Sequence, residues 1–153
     1  MKIILLIIGL VTCISIHSVY ATTVLPMSLQ DLTKKASYIF HARAVSNRVE
    51  FDNLSQRVVT ITRFNILQPI KGTTSDTYEI KQLGGHLPGS KFYYVAHGIP
   101  QFVVDEEYVV FLPEKSRLGF SSPVGLGQGS VMLSQINERT NFIKKIRHLK
   151  GDQ

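Results

Sequence analysis

The chain is almost free of cysteine: its 153 residues include one, Cys13. Cys13 lies inside an N-terminal segment with the pattern of a signal peptide, so we expect the folded domain to contain no cysteine. Such a domain has no internal disulfide and must depend on an ordinary hydrophobic core. The roughly 130 residues that follow this segment are enough for one domain that buries a sizeable core.

Patterns that commonly accompany catalysis are also missing. The chain has no Gly-x-Ser-x-Gly motif, and the glycines of Gly127-Gln128-Gly129-Ser130 do not have the spacing of a phosphate-binding loop. The triplet Asp105-Glu106-Glu107 can be read as an acid/base pair, but adjacent carboxylates in a turn before a strand usually face solvent. We therefore predict a protein that is not an enzyme and has no cofactor.

The N-terminus has the features of an export signal. Lys2 is followed by an apolar run from Ile3 to Val11, and Val19-Tyr20-Ala21 offers small residues for cleavage before Thr22. The run is shorter than the roughly 20 residues that a membrane-spanning helix needs. We predict a signal peptide at residues 1–21.

The predicted signal has two consequences. Residues 22–153 should form a single domain of a secreted or periplasmic protein, with no transmembrane segment after cleavage. An alternative is a lipoprotein modified at Cys13, although Thr12 stands where a small residue is expected. The formal net charge of +6 falls to +5 when Lys2 is removed, because 16 basic and 11 acidic residues remain. This balance favours contact with anionic partners, and it is equally typical of a soluble basic protein.

Alternating apolar and polar residues predict a mainly β domain. A short helix is expected over Met27–Ala36, with Ser28 as its N-cap and Asp31 in its first turn. A polar loop is expected at Ser46–Ser55, and Pro69 is expected to end the second strand. A β-bulge near Thr62, or partial burial of both faces, would explain the mixed parity of the second strand. The predicted strands are Tyr38–Val45, Val58–Ile66, Thr77–Leu83, a short edge strand at Lys91–Val95, and Tyr108–Leu112.

The C-terminal stretch has two interpretations. Phe142, Ile143, Ile146 and Leu149 fit the stripe of an amphipathic helix. Alternatively, Val131–Gln135 and Asn141–Ile146 form a hairpin around a turn at Asn137–Thr140, which we favour slightly because the preceding segments are also short strands. Turn signals about every ten residues suggest a small barrel or sandwich.

Several segments together resemble a group of uncharacterised exported bacterial proteins. They also make the chain distantly similar to the netrin-like domain of tissue inhibitors of metalloproteinases. The matching segments are Lys35-Ala36-Ser37, Tyr38–Val45, Ile70-Lys71-Gly72, Gly98-Ile99-Pro100 with Phe102, and Glu107–Leu112, within about Leu29 to Leu133. The resemblance implies a small OB-like antiparallel barrel with a short N-terminal helix, and a protein partner that is an exported protease or another exported protein. Those inhibitors place an N-terminal cysteine on the protease zinc, whereas the chain after Thr22 has no cysteine, so that inhibitory wedge matches no residue here.

Candidate binding groups collect around a glycine-rich elbow, Gly84–Gly89, and a corner at Gly98–Pro100. Aromatic residues beside a basic residue are typical of the ligand-binding strands of OB-type barrels. In the alternative, Phe92 and Tyr94 fill the core and Tyr93 alone faces water. The candidate binding residues are His86, Lys91, Tyr93, His97 and Phe102.

A metal site at the elbow is a weaker hypothesis. His86 and His97 match no compact ligand motif, and a third ligand would have to come from Glu79, Asp105, Glu106 or Glu107. We predict no metal there. His41 is expected to be solvated on the polar face of the first strand, beside Arg43.

Three functions follow, in order of preference. The first is a non-enzymatic domain that binds a protein through residues 84–100. The second is binding of an anionic glycan, lipid head group or nucleic acid through a basic surface of Lys144, Lys145, Arg147 and Lys150, together with Lys91. The third is a metal-dependent hydrolase that uses His86 and His97.

Overall fold

The computed structural model describes residues 25–72, 75–91 and 93–151. The predicted signal peptide and Phe92 lie outside these residues. Helix α1 spans Leu29–Lys35 and helix α2 spans Arg139–Gly151, and 3-10 helical turns occur at Leu126–Gly129 and Leu133–Gln135. The strands are β1 (Tyr38–Asp52), β2 (Arg57–Lys71), β3 (Thr77–Leu83), β4 (Gly85–His86), β5 (Tyr93–Tyr94), β6 (Glu107–Leu112) and β7 (Ser130–Met132).

Five of these strands form one antiparallel sheet in the order β3-β2-β1-β6-β7. Strands β4 and β5 pair separately as a two-stranded ribbon. The prediction of a mainly β protein is therefore confirmed. The sheet is not closed, because β3 and β7 are its two edges, so the predicted barrel is not confirmed. No helix in the described part of the chain has the length and apolar character needed to cross a bilayer.

Strands β1 and β2 form a hairpin that is longer than predicted. The polar loop expected at Ser46–Ser55 is wrong for most of its length, because β1 continues to Asp52 and the turn occupies only residues 53–56. The Asp52 carboxylate accepts hydrogen bonds from the backbone N–H and the hydroxyl of Ser55, which closes this turn. The polar side chains of Ser46, Asn47, Arg48 and Glu50 therefore belong to a partly exposed part of the strand and do not mark its end.

The prediction that Pro69 ends the second strand is also wrong. Pro69 lies within β2, opposite Phe40. Its missing N–H costs no ladder bond, since β2 pairs with β3 only up to Asn65 and has no neighbour on that side at Pro69. Three register shifts in the β1–β2 ladder leave Val45, Leu67 and Ile70 without a partner, and the one at Val45 lies close to the bulge predicted near Thr62.

Each face of the sheet has its own hydrophobic core. On one face, both helices pack against odd-numbered residues of β1 and β6, such as Ile39, Val109 and Phe111. The first core comprises Leu32, Ala36, Ile39, Ile70, Val109, Phe111, Val124, Leu133 and Ile146. On the opposite face, the second core comprises Phe40, Ala42, Ala44, Phe64, Ile80, Phe102, Tyr108, Val110 and Leu112.

The two helices show one success and one error of prediction. Helix α1 begins as expected: the Ser28 hydroxyl accepts from the N–H of Asp31 at 3.1 Å and donates to its carboxylate at 2.6 Å. The C-terminal hairpin is wrong, because residues 139–151 form α2. The helical stripe prevails because Ile146 becomes fully buried in the first core and Phe142 and Ile143 pack against it.

Lys81 connects three segments at the β3 edge of the sheet. Its ammonium lies 2.8 Å from the Asp52 carboxylate, donates to the carbonyl of Leu118 at 2.8 Å, and sits 5.0 Å from the centre of the Phe120 ring. The hydrogen bonds from Lys81 and Ser55 lower the pKa of Asp52 to about 2. The contact therefore ties the tip of the β1–β2 hairpin to the segment that crosses the open edge.

We predict that Phe64→Ala lowers the free energy of unfolding by about 3–5 kcal/mol. Phe64 is fully buried and packs edge-on to Phe102 at 4.8 Å between ring centres, so its removal leaves a cavity in the second core. Urea denaturation measures the change. Phe51→Ala is the matched control, since Phe51 is 48% exposed and should cost less than about 1 kcal/mol. Equal losses in the two variants would contradict this account of the core.

We predict that stability falls with acid in a way that depends on Asp52. Its pKa is lower in the folded state than in the unfolded chain, so its stabilising contribution is complete above about pH 4 and is lost as the pH falls to about 2. Asp52→Asn should flatten the stability profile over that interval. Thermal melting of both proteins from pH 6 to pH 2 measures the difference, and parallel curves would show that the Lys81 contact does not stabilise the fold.

Candidate binding cavity and cleft

Residues 84–100 form a flap over the second-core face of the β1–β2 hairpin. The flap is fixed at its start: Gly84 donates its N–H to the carbonyl of Val58 at 2.9 Å and accepts from the Thr60 hydroxyl at 2.7 Å. Gly85 then lies so close to the hairpin that a Cβ there would be 2.7 Å from side-chain atoms of both Val49 and Thr60. Its φ of 133° is also one that residues with side chains rarely adopt. The glycine elbow is therefore required for the flap to reach the sheet.

A cavity of about 200 Å³ lies between the flap and the hairpin. Residues from β1, β2 and β3 form its floor, and β4, β5 and residues 95–102 form its walls. The side chains on the floor include Asn47, Val49, Thr60, Thr62 and Gln82. The cavity is thus an extension of the second core in which polar residues replace apolar ones.

The polar floor is held by a chain of hydrogen bonds. Thr62, which is almost fully buried, donates to the Oδ1 of Asn47 at 2.8 Å, and the Nδ2 of Asn47 donates to the carbonyl of Phe102 at 2.7 Å. Gln82 is 3% exposed, and its Nε2 has no hydrogen-bond partner among the described residues. A buried amide without a hydrogen-bond partner costs folding free energy. A ligand that brings a hydrogen-bond acceptor to this amide would therefore be favoured at the floor.

The rim of the cavity carries exposed aromatic and aliphatic side chains. Tyr93 is 59% exposed and Tyr94 is 47% exposed. The same end of the molecule contains further large exposed apolar residues, on the hairpin tip and on the loop that begins at the cavity wall. These are Phe51, Leu54, Val95, Val103 and Val104. Large apolar residues gathered in one region mark an interaction surface more often than scattered ones do.

The structure brings three of the five candidate binding residues to this cavity. His86 and Tyr93 are paired in the β4–β5 ribbon, with ring centres 6.2 Å apart, and the His86 Nε2 is 2.9 Å from the carbonyl of Ser90. Phe102 is buried in the second core and also forms part of the wall. Lys91 and His97 are exposed and do not line the cavity.

The structure also tests the expected burial of Tyr94 and the hypothesis of a metal site. The alternative in which Tyr94 fills the core is wrong, because almost half of Tyr94 is exposed; Phe92 lies outside the described residues. Among residues 25–72, 75–91 and 93–151, no three His, Cys, Asp or Glu side chains approach closely enough to hold one metal ion. His86 and His97 therefore have no third ligand within the described part.

A second concavity, a cleft of about 340 Å³, lies between α2 and the sheet, on the face opposite to the flap. The sheet contributes His41, Gln68 and Glu107, and the cleft also includes the apolar residue Leu133. Helix α2 contributes Arg139, Thr140, Ile143, Lys144 and Arg147. Of the predicted basic surface, Lys144 and Arg147 line this cleft, whereas Lys145 and Lys150 do not.

His41 is not solvated as predicted, because Glu107 covers it. Its Nε2 lies 2.9 Å from Glu107 Oε2, while Arg43 donates to Oε1 at 2.6 Å. The side chain of His41 is only 16% exposed. The hydrogen bonds from Arg43 and then His41 hold the pKa of Glu107 below its ordinary value. Each oxygen of this carboxylate thus already has one partner.

The residues of the cavity floor are missing from the sequence-based candidates. Asn47 falls in the segment predicted as a loop, and Thr60 and Gln82 were not distinguished from ordinary strand residues. One signal was present: Thr60 and Thr62 share the parity of Phe64, so polar residues continue an apolar face.

Comparison with known proteins adds no family, since no protein-family model matches the chain and a search of curated proteins gave no significant match.

We predict that Gly85→Ala detaches the flap from the hairpin. The new methyl group collides with Val49 and Thr60, so the hydrogen bond from the Gly84 N–H to Val58 should open more often. Amide hydrogen exchange at Gly84 should become at least tenfold faster. Gly89→Ala is the matched control, because Gly89 also has a positive φ but a Cβ there meets nothing within 4 Å. Unchanged protection of Gly84 in G85A would show that the flap does not depend on this close approach.

Proposed function

We propose that this protein is an exported, non-enzymatic binding domain that recognises a protein partner through the flap and the cavity beneath it. The observation that carries the proposal is the cavity of about 200 Å³ surrounded by exposed Tyr93 and Tyr94. Tyrosine is enriched among the residues that dominate protein interfaces, and such residues pair with pockets on the other partner. The predicted signal peptide supports the exported location.

The size of the cavity favours a side chain of a protein over a whole small molecule. Pockets that bury drug-sized ligands typically measure about 300–1,000 Å³. A cavity of about 150 Å³ is large enough for benzene in another protein, so about 200 Å³ suits one large side chain. A partner residue inserted between Tyr94 and the floor would be an anchor of the kind that contributes most of the binding free energy.

The chemistry of the floor narrows the kind of anchor. The cavity has apolar side chains from Val49 on its floor and from Ile99 and Phe102 on its walls, and no Lys, Arg, Asp or Glu among its lining residues. A charged side chain would lose its hydration there without an opposite charge to replace it. An apolar or aromatic side chain with a hydrogen-bond acceptor fits better, because Gln82 carries a buried amide without a partner.

The resemblance to the netrin-like domain of tissue inhibitors of metalloproteinases supports the same proposal. Under it, the sheet is a member of the OB-like barrels, and a protease or another exported protein is the partner. Because the sheet is open, the proposal of an OB-like barrel depends on the curvature of the sheet and on contacts at its edges. The bridge between Lys81 and Phe120 is one such edge contact. The absence of a cysteine after Thr22 means that any protease would be bound in a different manner from that of those inhibitors.

Photo-crosslinking tests the proposal. A benzophenone amino acid placed at Tyr94 should capture one discrete protein in the exported fraction, and the same group at Leu67 should not. Leu67 is the matched control because its exposed fraction, 48%, is similar to that of Tyr94, whereas it lies on β2 and does not line the cavity. The captured protein is then purified and titrated against the wild type.

We predict that Tyr93→Ser combined with Tyr94→Ser weakens binding of that purified protein by at least tenfold, about 1.4 kcal/mol, because two rim side chains are lost. Leu67→Ser should change the affinity less than twofold. Identical crosslinking at positions 94 and 67, or an affinity that Y93S/Y94S leaves unchanged, would remove the flap as the binding surface.

A further inference from the structure

We propose that the cleft between α2 and the sheet is a second, separate binding site, and that it takes a phosphate group. It lies on the opposite face of the sheet from the flap, so it is independent of the protein-binding surface proposed above. Its volume of about 340 Å³ falls in the range of sites for small-molecule ligands, unlike that of the cavity under the flap.

The helical wall of the cleft carries three cations that have no partner. Arg139, Lys144 and Arg147 make no hydrogen bond or ion pair within the described residues. At 100° per residue they fall within roughly 140° of the helix circumference, so they lie along one side of α2. Three unpaired cations that share one concave wall attract an anion more strongly than the same charges spread over the surface.

The opposite wall does not cancel this charge. Glu107 is the one carboxylate that lines the cleft, and its two oxygens already bind Arg43 and His41. The cleft thus contains three positive charges on the helix and one carboxylate on the sheet, and that carboxylate is already paired with residues of β1. Gln68 and Thr140 add neutral polar groups at the same place. Guanidinium groups form two-point hydrogen bonds with phosphate and carboxylate alike, but a phosphate has more negative charge and more acceptor oxygens, which suits three cations better than a single carboxylate does.

The position of Arg139 gives a second reason to expect an anion in the cleft. It is the first residue of α2, where the helix dipole is positive and a cation is unfavourable. Lys150 near the other end has the opposite, favourable relation to the dipole, so helix stability alone accounts for it. Glu138, whose carbonyl accepts from the N–H of Phe142, already supplies one carboxylate at this end, and a bound anion would add a second compensating charge beside Arg139.

The apolar part of the cleft leaves room for two sources of the phosphate. Leu133 and Ile143 line it beside the cations, so the group that carries the phosphate can have an apolar portion. A soluble phosphate ester and a phospholipid head group both have that chemistry. The proposal is the phosphate site itself, and the experiment distinguishes its source.

The test titrates the full chain after signal removal with inorganic phosphate, and separately with phosphatidylcholine vesicles that contain or lack phosphatidic acid. Proton–nitrogen NMR spectra should show shifts at Gln68, Thr140 and Lys144, which line the cleft. The double variant Lys144→Ala, Arg147→Ala should weaken binding about tenfold or more, as expected for the loss of charge-assisted hydrogen bonds. Higher salt should weaken binding by the wild type.

Lys145→Ala is the matched control, since Lys145 is exposed, has the same charge and belongs to the same helix, but does not line the cleft. Its affinity should stay within about twofold of the wild type. Melting temperatures verify that each variant folds. Binding that needs phosphatidic acid vesicles identifies a head group, and binding of free phosphate identifies a soluble ligand; either supports the site. Equal weakening by K145A, shifts spread over the whole surface, or no binding to either probe would overturn it.

Discussion

The structure depends on one constraint: the start of the central strand β1 and most of its neighbour β6 are apolar on both faces, so both sides of the sheet have to be covered there. Ile39 and Phe40 are neighbours with opposite orientation, and neither is accessible to solvent. Two helices cover the Ile39 side. The Phe40 side is covered by loops and by the flap instead of a second layer of regular structure. Two short helices and several loops enclose two cores without a disulfide in the described part.

Cover by loops is the reason that a cavity exists on the Phe40 side. Along that face the side chains change from Phe64 and Ile80 to Thr62, Thr60 and Gln82 toward the tip of the β1–β2 hairpin, beyond the end of the pairing with β6. An apolar face would draw the flap down until no space remained. A polar face has to keep its hydrogen bonds, so the flap rests on the contact between Gly85 and Thr60 and leaves the space between them open. The core therefore ends where the candidate site begins.

Local patterns predicted the elements that local interactions determine. The cap at Ser28, the strand Thr77–Leu83 and the glycine elbow each have a signal in neighbouring residues, and each occurs as predicted. Elements that depend on distant contacts were mistaken. Pro69 fits in a strand only because β3 stops short of it, and residues 139–151 form a helix because Ile146 reaches a core built from distant strands. Neither fact is visible in the residues themselves.

The composition of both sites depends on two bulges that a strict alternation of strand residues cannot foresee. Ala42 and Ala44 face the second core, and strict alternation would place the ion-paired Arg48 and Glu50 on the same face, in the flap cavity. The extra residue at Val45 shifts the alternation by one, so that Asn47 and Val49 line the cavity instead. The bulge at Leu67 acts in the same way on β2. Ile66 packs in the second core, and the extra residue turns Gln68 to the other face, opposite His41, where it lines the cleft. Each bulge thus reverses which side chains face the core, and the polar residues of the two candidate sites follow from those reversals.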